Sequence, residues 1–190
     1  MKTKKTTYFE KAGEENTDEC IKAVSERLKE GDIKYVVVAT STGKTALKLA
    51  EKVHARIVCV TYNAGFKEEY TKKFDLNIPK LDAAEIDFVR ATHALSAGER
   101  SVNSKYQGGY PLLVIADTLR MLSQGAKVAV EASLMATDAG KVPAKSKIIA
   151  IGGAGHGCDT ALVLQNTYSH KVLQELAVQE VVCLAETTWH

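Results

Sequence analysis

The chain predicts an α/β fold built on a parallel sheet covered on both faces. Two near-continuous apolar runs, Ile33 to Ala39 and Arg56 to Thr61, are too apolar for strands with one face in water. Between them lies an amphipathic stretch from Gly43 to Val53, with Leu47 and Ala50 on one face, and a strand–helix–strand unit of this kind makes its strands parallel. At 190 residues the chain suits one large domain, residues 1–190, able to bury a full core without disulfides or metals.

Thr6 to Phe9 reads as a short opening strand. Asn16 then caps a helix, with Glu19 three residues on as a capping-box-like partner, Ile21, Val24 and Leu28 as its apolar stripe and Gly31 as its stop. After the strand–helix–strand unit, residues 62–77 are polar and aromatic and read as a long connection. Pro79 opens a helix through Leu81, Ala84 and Ile86, followed by a strand from Asp87 to Thr92 and a polar loop from His93 past Val102. A helix beginning near Pro111 is expected to end at Gly125. The remaining expectations are a strand from Lys127 to Ala132, a turn around Thr137 to Gly140, a strand from Lys147 to Ile151, the loop Gly152 to Gly157, a tightly paired strand from Asp159 to Gln165, a short helix and a last strand from Val178 to Leu184.

The passage Ala39-Thr-Ser-Thr-Gly-Lys-Thr-Ala46 carries the most chemistry. A strand runs through a polar loop into a helix whose first N–H groups have no intrahelical partners, an arrangement that holds a phosphate by geometry and dipole together. Ser41, Thr42 and Thr45 add hydroxyls, Lys44 adds a mobile positive charge, and Gly43 is expected to let the backbone approach a ligand. Gly43-Lys-Thr45 matches only the second half of a P-loop, because Val38 occupies the first glycine position. The run Leu112 to Asp117 belongs to a helix, not to the strand that presents a magnesium-binding aspartate, so simple phosphate binding is preferred over nucleotide hydrolysis.

The 25 basic residues nearly cancel the 23 acidic ones, which gives no net field for nucleic acid. No apolar run approaches a membrane span, and the basic start lacks a signal-peptide core, so a cytoplasmic location is the default. Cys20, Cys59, Cys158 and Cys183 lack metal-site spacing and fit unpaired thiols.

The order of Val36 to Ala46, helix, then Arg56 to Thr61 resembles the C-terminal α/β domain of pyruvate kinase, in which a similar loop grips a phosphate of an allosteric sugar bisphosphate. More of the chain is similar to a stand-alone family of that domain, mostly archaeal proteins, through Gly13 to Thr17, Thr40 to Thr45, Thr61 to Phe66, Ser96 to Ser101 and Gly152 to Thr160. The resemblance implies a three-layer α/β/α sandwich on a mostly parallel sheet, with a late antiparallel strand that Asp159 to Gln165 would supply. It also implies flavin mononucleotide (FMN) as a ligand, its phosphate at Thr40 to Thr45. It does not carry pyruvate kinase activity, whose chemistry belongs to a separate barrel domain of roughly 250 residues.

Ligands of open α/β sheets sit beyond the carboxyl ends of the parallel strands. The candidate site residues follow predicted strands: Asn16; Thr40, Ser41, Thr42, Gly43, Lys44 and Thr45; Tyr62 and Asn63; His93, Arg100 and Ser101; Thr137 and Asp138; and Gly153, Ala154, Gly155 and His156. Lys44 and Arg100 would neutralise phosphate, Tyr62 or Phe66 would stack on a ring, and the glycines would admit a ligand close to the backbone. His93 and His156 have the chemistry of bases near neutral pH, and Asp138 of a hydroxyl acceptor. Each has a rival reading as a helix-surface cation, a loop residue or a turn former. The expected function is binding of a phosphorylated small molecule, with a flavin-linked redox role; the alternative is a non-catalytic sensing module for a sugar phosphate or nucleotide. Exposed aromatics from Tyr62 to Tyr70 add the expectation of a homo-oligomer.

Overall fold

The computed structural model describes residues 1–108 and 110–186. In chain order the elements are β1 (Thr7–Phe9), α1 (Thr17–Leu28), β2 (Tyr35–Ala39), α2 (Lys44–Ala50), β3 (Arg56–Thr61), α3 (Glu68–Asp75), α4 (Ile78–Ala83), β4 (Asp87–Arg90), α5 (Ala97–Tyr106), α6 (Pro111–Arg120), α7 (Gln124–Asp138), β5 (Lys147–Gly152), β6 (Thr160–Gln165), α8 (Val172–Glu175) and β7 (Ala177–Ala185). The seven strands form one sheet in the order β1-β7-β6-β5-β2-β3-β4. β6 is antiparallel to both its neighbours, and every other pairing is parallel.

Alternation along the strands divides the core. Val36, Val38, Ile57, Cys59, Ile149 and Ile151 pack with Ile21 of α1, Leu49 of α2, Phe74 of α3 and Leu81 of α4. Val37, Val58, Val60, Ile148 and Ala150 point the other way, against Ala116 of α6 and Ala129, Val130 and Leu134 of α7. Helices thus cover both faces, giving the three layers.

The expected strand at Lys127 to Ala132 is instead part of α7. Gly125 does not end a helix; it lies in the first turn of this one, where Ser123 caps by accepting a hydrogen bond from the Ala126 N–H at 2.9 Å. Residues 125–137 of α7 are buried almost all round, so the polar–apolar contrast that reveals a surface helix is missing. Its Lys-Val-Ala-Val-Glu-Ala run then mimics strand alternation. Helices α3 and α5 likewise lie inside segments read as connections. Asn16 does stand at the start of α1, but its side chain makes no cap; its amide donates to the Lys11 carbonyl at 2.7 Å.

All four cysteines are buried free thiols, with the Cys20 and Cys183 sulfurs 3.4 Å apart. On α1, buried Arg27 donates to Glu180 at 2.9 Å and to Asp32 at 2.8 Å, tying the helix to β7 and to the turn before β2. No helix among the described residues is long and apolar enough to cross a membrane.

Candidate functional site

Strand order reverses between β2 and β5. From β2 the chain crosses through α2 to β3 on one side, and from β4 it returns through α5 to α7 to β5 on the other. A crevice opens at the carboxyl ends of strands at such a point. Here it is a cavity of about 530 Å³, within the usual range for small-molecule sites.

The β2–α2 loop forms one lip. Three of its carbonyls are engaged: that of Ser41 takes the Thr61 hydroxyl at 3.5 Å, that of Thr42 the Asn77 amide at 2.8 Å, and that of Gly43 the Leu47 N–H at 3.1 Å. Its donors are not. The N–H groups of Ser41, Thr42, Lys44 and Thr45 and the hydroxyls of Ser41, Thr42 and Thr45 find no acceptor among the described residues, and all four residues line the cavity. A loop with engaged carbonyls and free N–H groups attracts an anion.

Gly43 has a different part from the one its sequence context suggests. It does not line the cavity; its φ is +85°, and a Cβ there would meet Asn77 and Leu81 at 3.4 Å, on the side of α4. The Thr40 hydroxyl accepts its N–H at 3.0 Å, so Gly43 turns the chain into α2 rather than admitting a ligand.

The opposite lip is aromatic and cationic. Tyr62 lies 5.0 Å from Phe66 and 5.8 Å from His93, while the Tyr70 hydroxyl and His156 Nε2 are 3.3 Å apart. Over these rings sits Lys67, 5.2 Å from the Tyr70 centroid, and the Arg100 guanidinium is 5.8 Å from that of Phe66. Glu99 does not pair with Arg100; it accepts the Leu112 and Leu113 N–H groups at the start of α6. Lys73 and Arg120 at the rim are paired with Glu69 and Asp117, whereas Lys44, Lys67 and Arg100 have no ion-pair partner among the described residues. Tyr62, Phe66 and Tyr70 all line the cavity.

The floor comes from α7. Gln124, Lys127, Val128, Glu131, Ala132 and Met135 form a stripe facing the cavity. Lys127 and Glu131 are a buried ion pair, each residue 4 % exposed, and the second Glu131 oxygen accepts the Leu95 N–H at 2.9 Å. Burial pushes Lys127 below the usual lysine range while Glu131 pulls it back up. Burial also lowers His93, with Glu131 opposing and Lys127 and Arg100 adding to the fall.

Of the sequence candidates, Thr40, Ser41, Thr42, Lys44, Thr45, Tyr62, His93, Arg100, Gly153, Gly155 and His156 line this cavity. Thr137 and Asp138 do not: they end α7 at the opposite edge of the sheet, where Thr137 bonds the Asn166 amide at 2.8 Å and Asp138 accepts the Ser169 N–H at 3.0 Å. Their placement after a strand fails because that strand is a helix. Asn16, Asn63, Ser101 and Ala154 also lie off the lining; the buried Asn63 side-chain oxygen has no partner, and the Ala154 N–H is held by Asp159 at 3.1 Å. Gly152, Gly153 and Gly157 are constrained by neighbouring protein atoms that an added Cβ would meet at 2.2 to 2.9 Å, whereas a Cβ at Gly155 would face open space. Nor do His156 and Cys158 form a thiol–base pair, since Cys158 is buried against Thr17.

Lys67, Tyr70, Lys127 and Glu131 escaped the sequence reading because their helices did. A period of four from Lys127 to Glu131 was the available signal. The family model of the pyruvate kinase alpha/beta domain matches residues 18–164, a span holding both lips and the floor of the cavity. The chain therefore belongs to the pyruvate kinase alpha/beta domain family.

Proposed function

We propose that the cavity binds a phosphorylated small molecule, with flavin mononucleotide the first choice. The observation that carries this reading is the β2–α2 loop, its carbonyls engaged and four N–H groups free at the cavity lip. A phosphate there would accept from Ser41, Thr42, Lys44 and Thr45, with the Lys44 ammonium neutralising it. Fit to the rest of flavin mononucleotide is supported by the aromatic lip, where Tyr62, Phe66 and His93 cluster at the cavity, and by the cavity volume. Bound flavin would supply the electron transfer; the chain would orient it, exclude water and set the charge around it.

The test is an absorbance scan and mass analysis of small molecules released on denaturing freshly purified protein. Release of flavin mononucleotide in near-equimolar amount supports the reading, and its reduction by a nicotinamide donor would add catalysis. A flavin bound but inert to donors points to a sensing module. Colourless protein that fails to take up added flavin mononucleotide overturns the flavin assignment, leaving sugar phosphates and nucleotides to be titrated.

A further inference from the structure

The Lys127–Glu131 pair on the cavity floor calls for a chemical explanation. Removing two charges from water is costly, and well-packed apolar residues often stabilise a fold at least as well as a buried ion pair. Both groups are buried on α7, yet both line the cavity. Glu131 is fixed at both oxygens, by Lys127 and by the Leu95 N–H. Glu131 is the one side-chain partner of Lys127 among the described residues, which leaves two of its three N–H groups without a protein acceptor there. His93 stands on the same loop as Leu95 and lines the same cavity, and the phosphate-binding lip opens above.

We propose that Lys127 is a carbonyl-reactive amine and that this chain forms an imine with a phosphorylated aldehyde or ketone bound in the cavity. The proposal rests on the phosphate half of the reading above and not on its flavin half. Glu131 takes a proton from the Lys127 ammonium, and the freed nitrogen lone pair forms a bond to the carbonyl carbon as the C=O π bond breaks. The carbinolamine nitrogen then gives up its two protons and the oxygen takes up two, relayed by way of Glu131 and His93, so that the C–O bond breaks, water leaves and C=N forms, while the proton first taken from the ammonium passes to solvent. Nothing is oxidised or reduced, and the atoms balance as amine plus carbonyl to imine plus water. Desolvation and nearby cations are the means by which proteins keep a lysine nucleophilic, and burial with Arg100 and Arg120 in the vicinity supplies both here.

The probe is pyridoxal 5′-phosphate, an aromatic phosphorylated aldehyde that suits both lips, with pyridoxal as the analogue lacking phosphate. The full chain is incubated with limiting probe, reduced with borohydride, digested and mapped by mass. The expected result is one reduced adduct per chain at Lys127, formed at least tenfold faster with pyridoxal 5′-phosphate than with pyridoxal and absent in Lys127→Met. Glu131→Gln should slow it by a similar factor. Adducts spread over surface lysines with Lys127 unmodified overturn the proposal, and the wild-type map gives this answer even if Lys127→Met does not fold. Equal labelling of Lys127 by both aldehydes would keep the reactive amine and overturn the phosphate reading.

Discussion

Two loops border the crevice, one after β2 and one after β5, and the protein shapes them by different means. In the β2 loop the carbonyls are held by Thr61, Asn77 and Leu47, and the N–H groups of Ser41, Thr42, Lys44 and Thr45 are left for a ligand. In the β5 loop Ala154 donates to Asp159 and Cys158 to Thr17, while the N–H groups of Gly153, Gly155, His156 and Gly157, all at the cavity, find no acceptor among the described residues. Two of its glycines are set by close packing against the protein. Gly152 sits where a Cβ would meet the Gly125 carbonyl at 2.2 Å, and Gly157 where it would meet the Thr17 hydroxyl at 2.2 Å. A glycine at the carboxyl edge can thus answer to protein packing as well as to a ligand.

This contrast can be broken at four points, taken from the largest effect. Gly152→Ala forces a Cβ into the α7 backbone and should cost more than about 3 kcal/mol in urea denaturation, since neither strand nor helix can yield; a loss below about 1 kcal/mol would mean that α7 can shift. Asp159→Ala strips the acceptor shared by Gly13, Ala154 and Thr160 and should cost roughly 2–4 kcal/mol, the penalty for buried donors left unpaired.

The same carboxylate has a pH signature. Burial is the main reason that the Asp159 pKa is raised in the fold, so its contribution to stability is complete below the unfolded value and is lost as pH rises through the folded one. Asp32, held by Arg27 and Lys147, has its pKa lowered, so its contribution is present above the unfolded value and lost on acidification. Denaturation midpoints of Asp159→Asn and Asp32→Asn followed across the acid range should therefore diverge from wild type with opposite slopes, and slopes of one sign would contradict the assignment.

On the ligand side, Lys44→Ala should weaken a phosphorylated ligand by about 1.5–3 kcal/mol while leaving the urea midpoint in place, because Lys44 is exposed and has no partner in the protein. The smallest effect belongs to Thr40→Val. Losing the hydroxyl that accepts the Gly43 N–H should cost about 1 kcal/mol of stability, read from the same denaturation curves.

How far the sequence disclosed this site depended on how local the physics is. The β2 loop was legible because strand, hydroxyl-rich turn and helix start are contiguous, and the causes of an anion cradle lie within six residues, Thr40 to Thr45. The floor was not. Lys127 and Glu131 belong to a helix buried on nearly every side, whose spacing of four is masked by an alternating apolar run. Gly125 looked like a stop, yet its smallness answers to Asp159 and Thr160, far off in sequence, 2.5 and 2.3 Å from where its Cβ would stand. Thr137 and Asp138 were drawn into the crevice by the same mistaken strand. Lys67 and Tyr70 sat in a segment read as a connection, because the eight-residue α3 has mostly polar residues and buries only Phe74. The sheet was clearer: the antiparallel β6 and the parallel remainder follow from apolar runs and crossovers that leave few alternatives.

The central claim, that the free N–H groups and Lys44 of the β2 loop hold a phosphate, is tested most directly by calorimetric titration of flavin mononucleotide and riboflavin into wild-type protein and Lys44→Ala. The two ligands share the ring and ribityl chain and differ in the phosphate. Tighter binding of flavin mononucleotide by at least tenfold, with most of that advantage lost in Lys44→Ala and riboflavin affinity unchanged, is the expected result. Equal affinity for both ligands in the wild type, or an advantage untouched by the substitution, would contradict it.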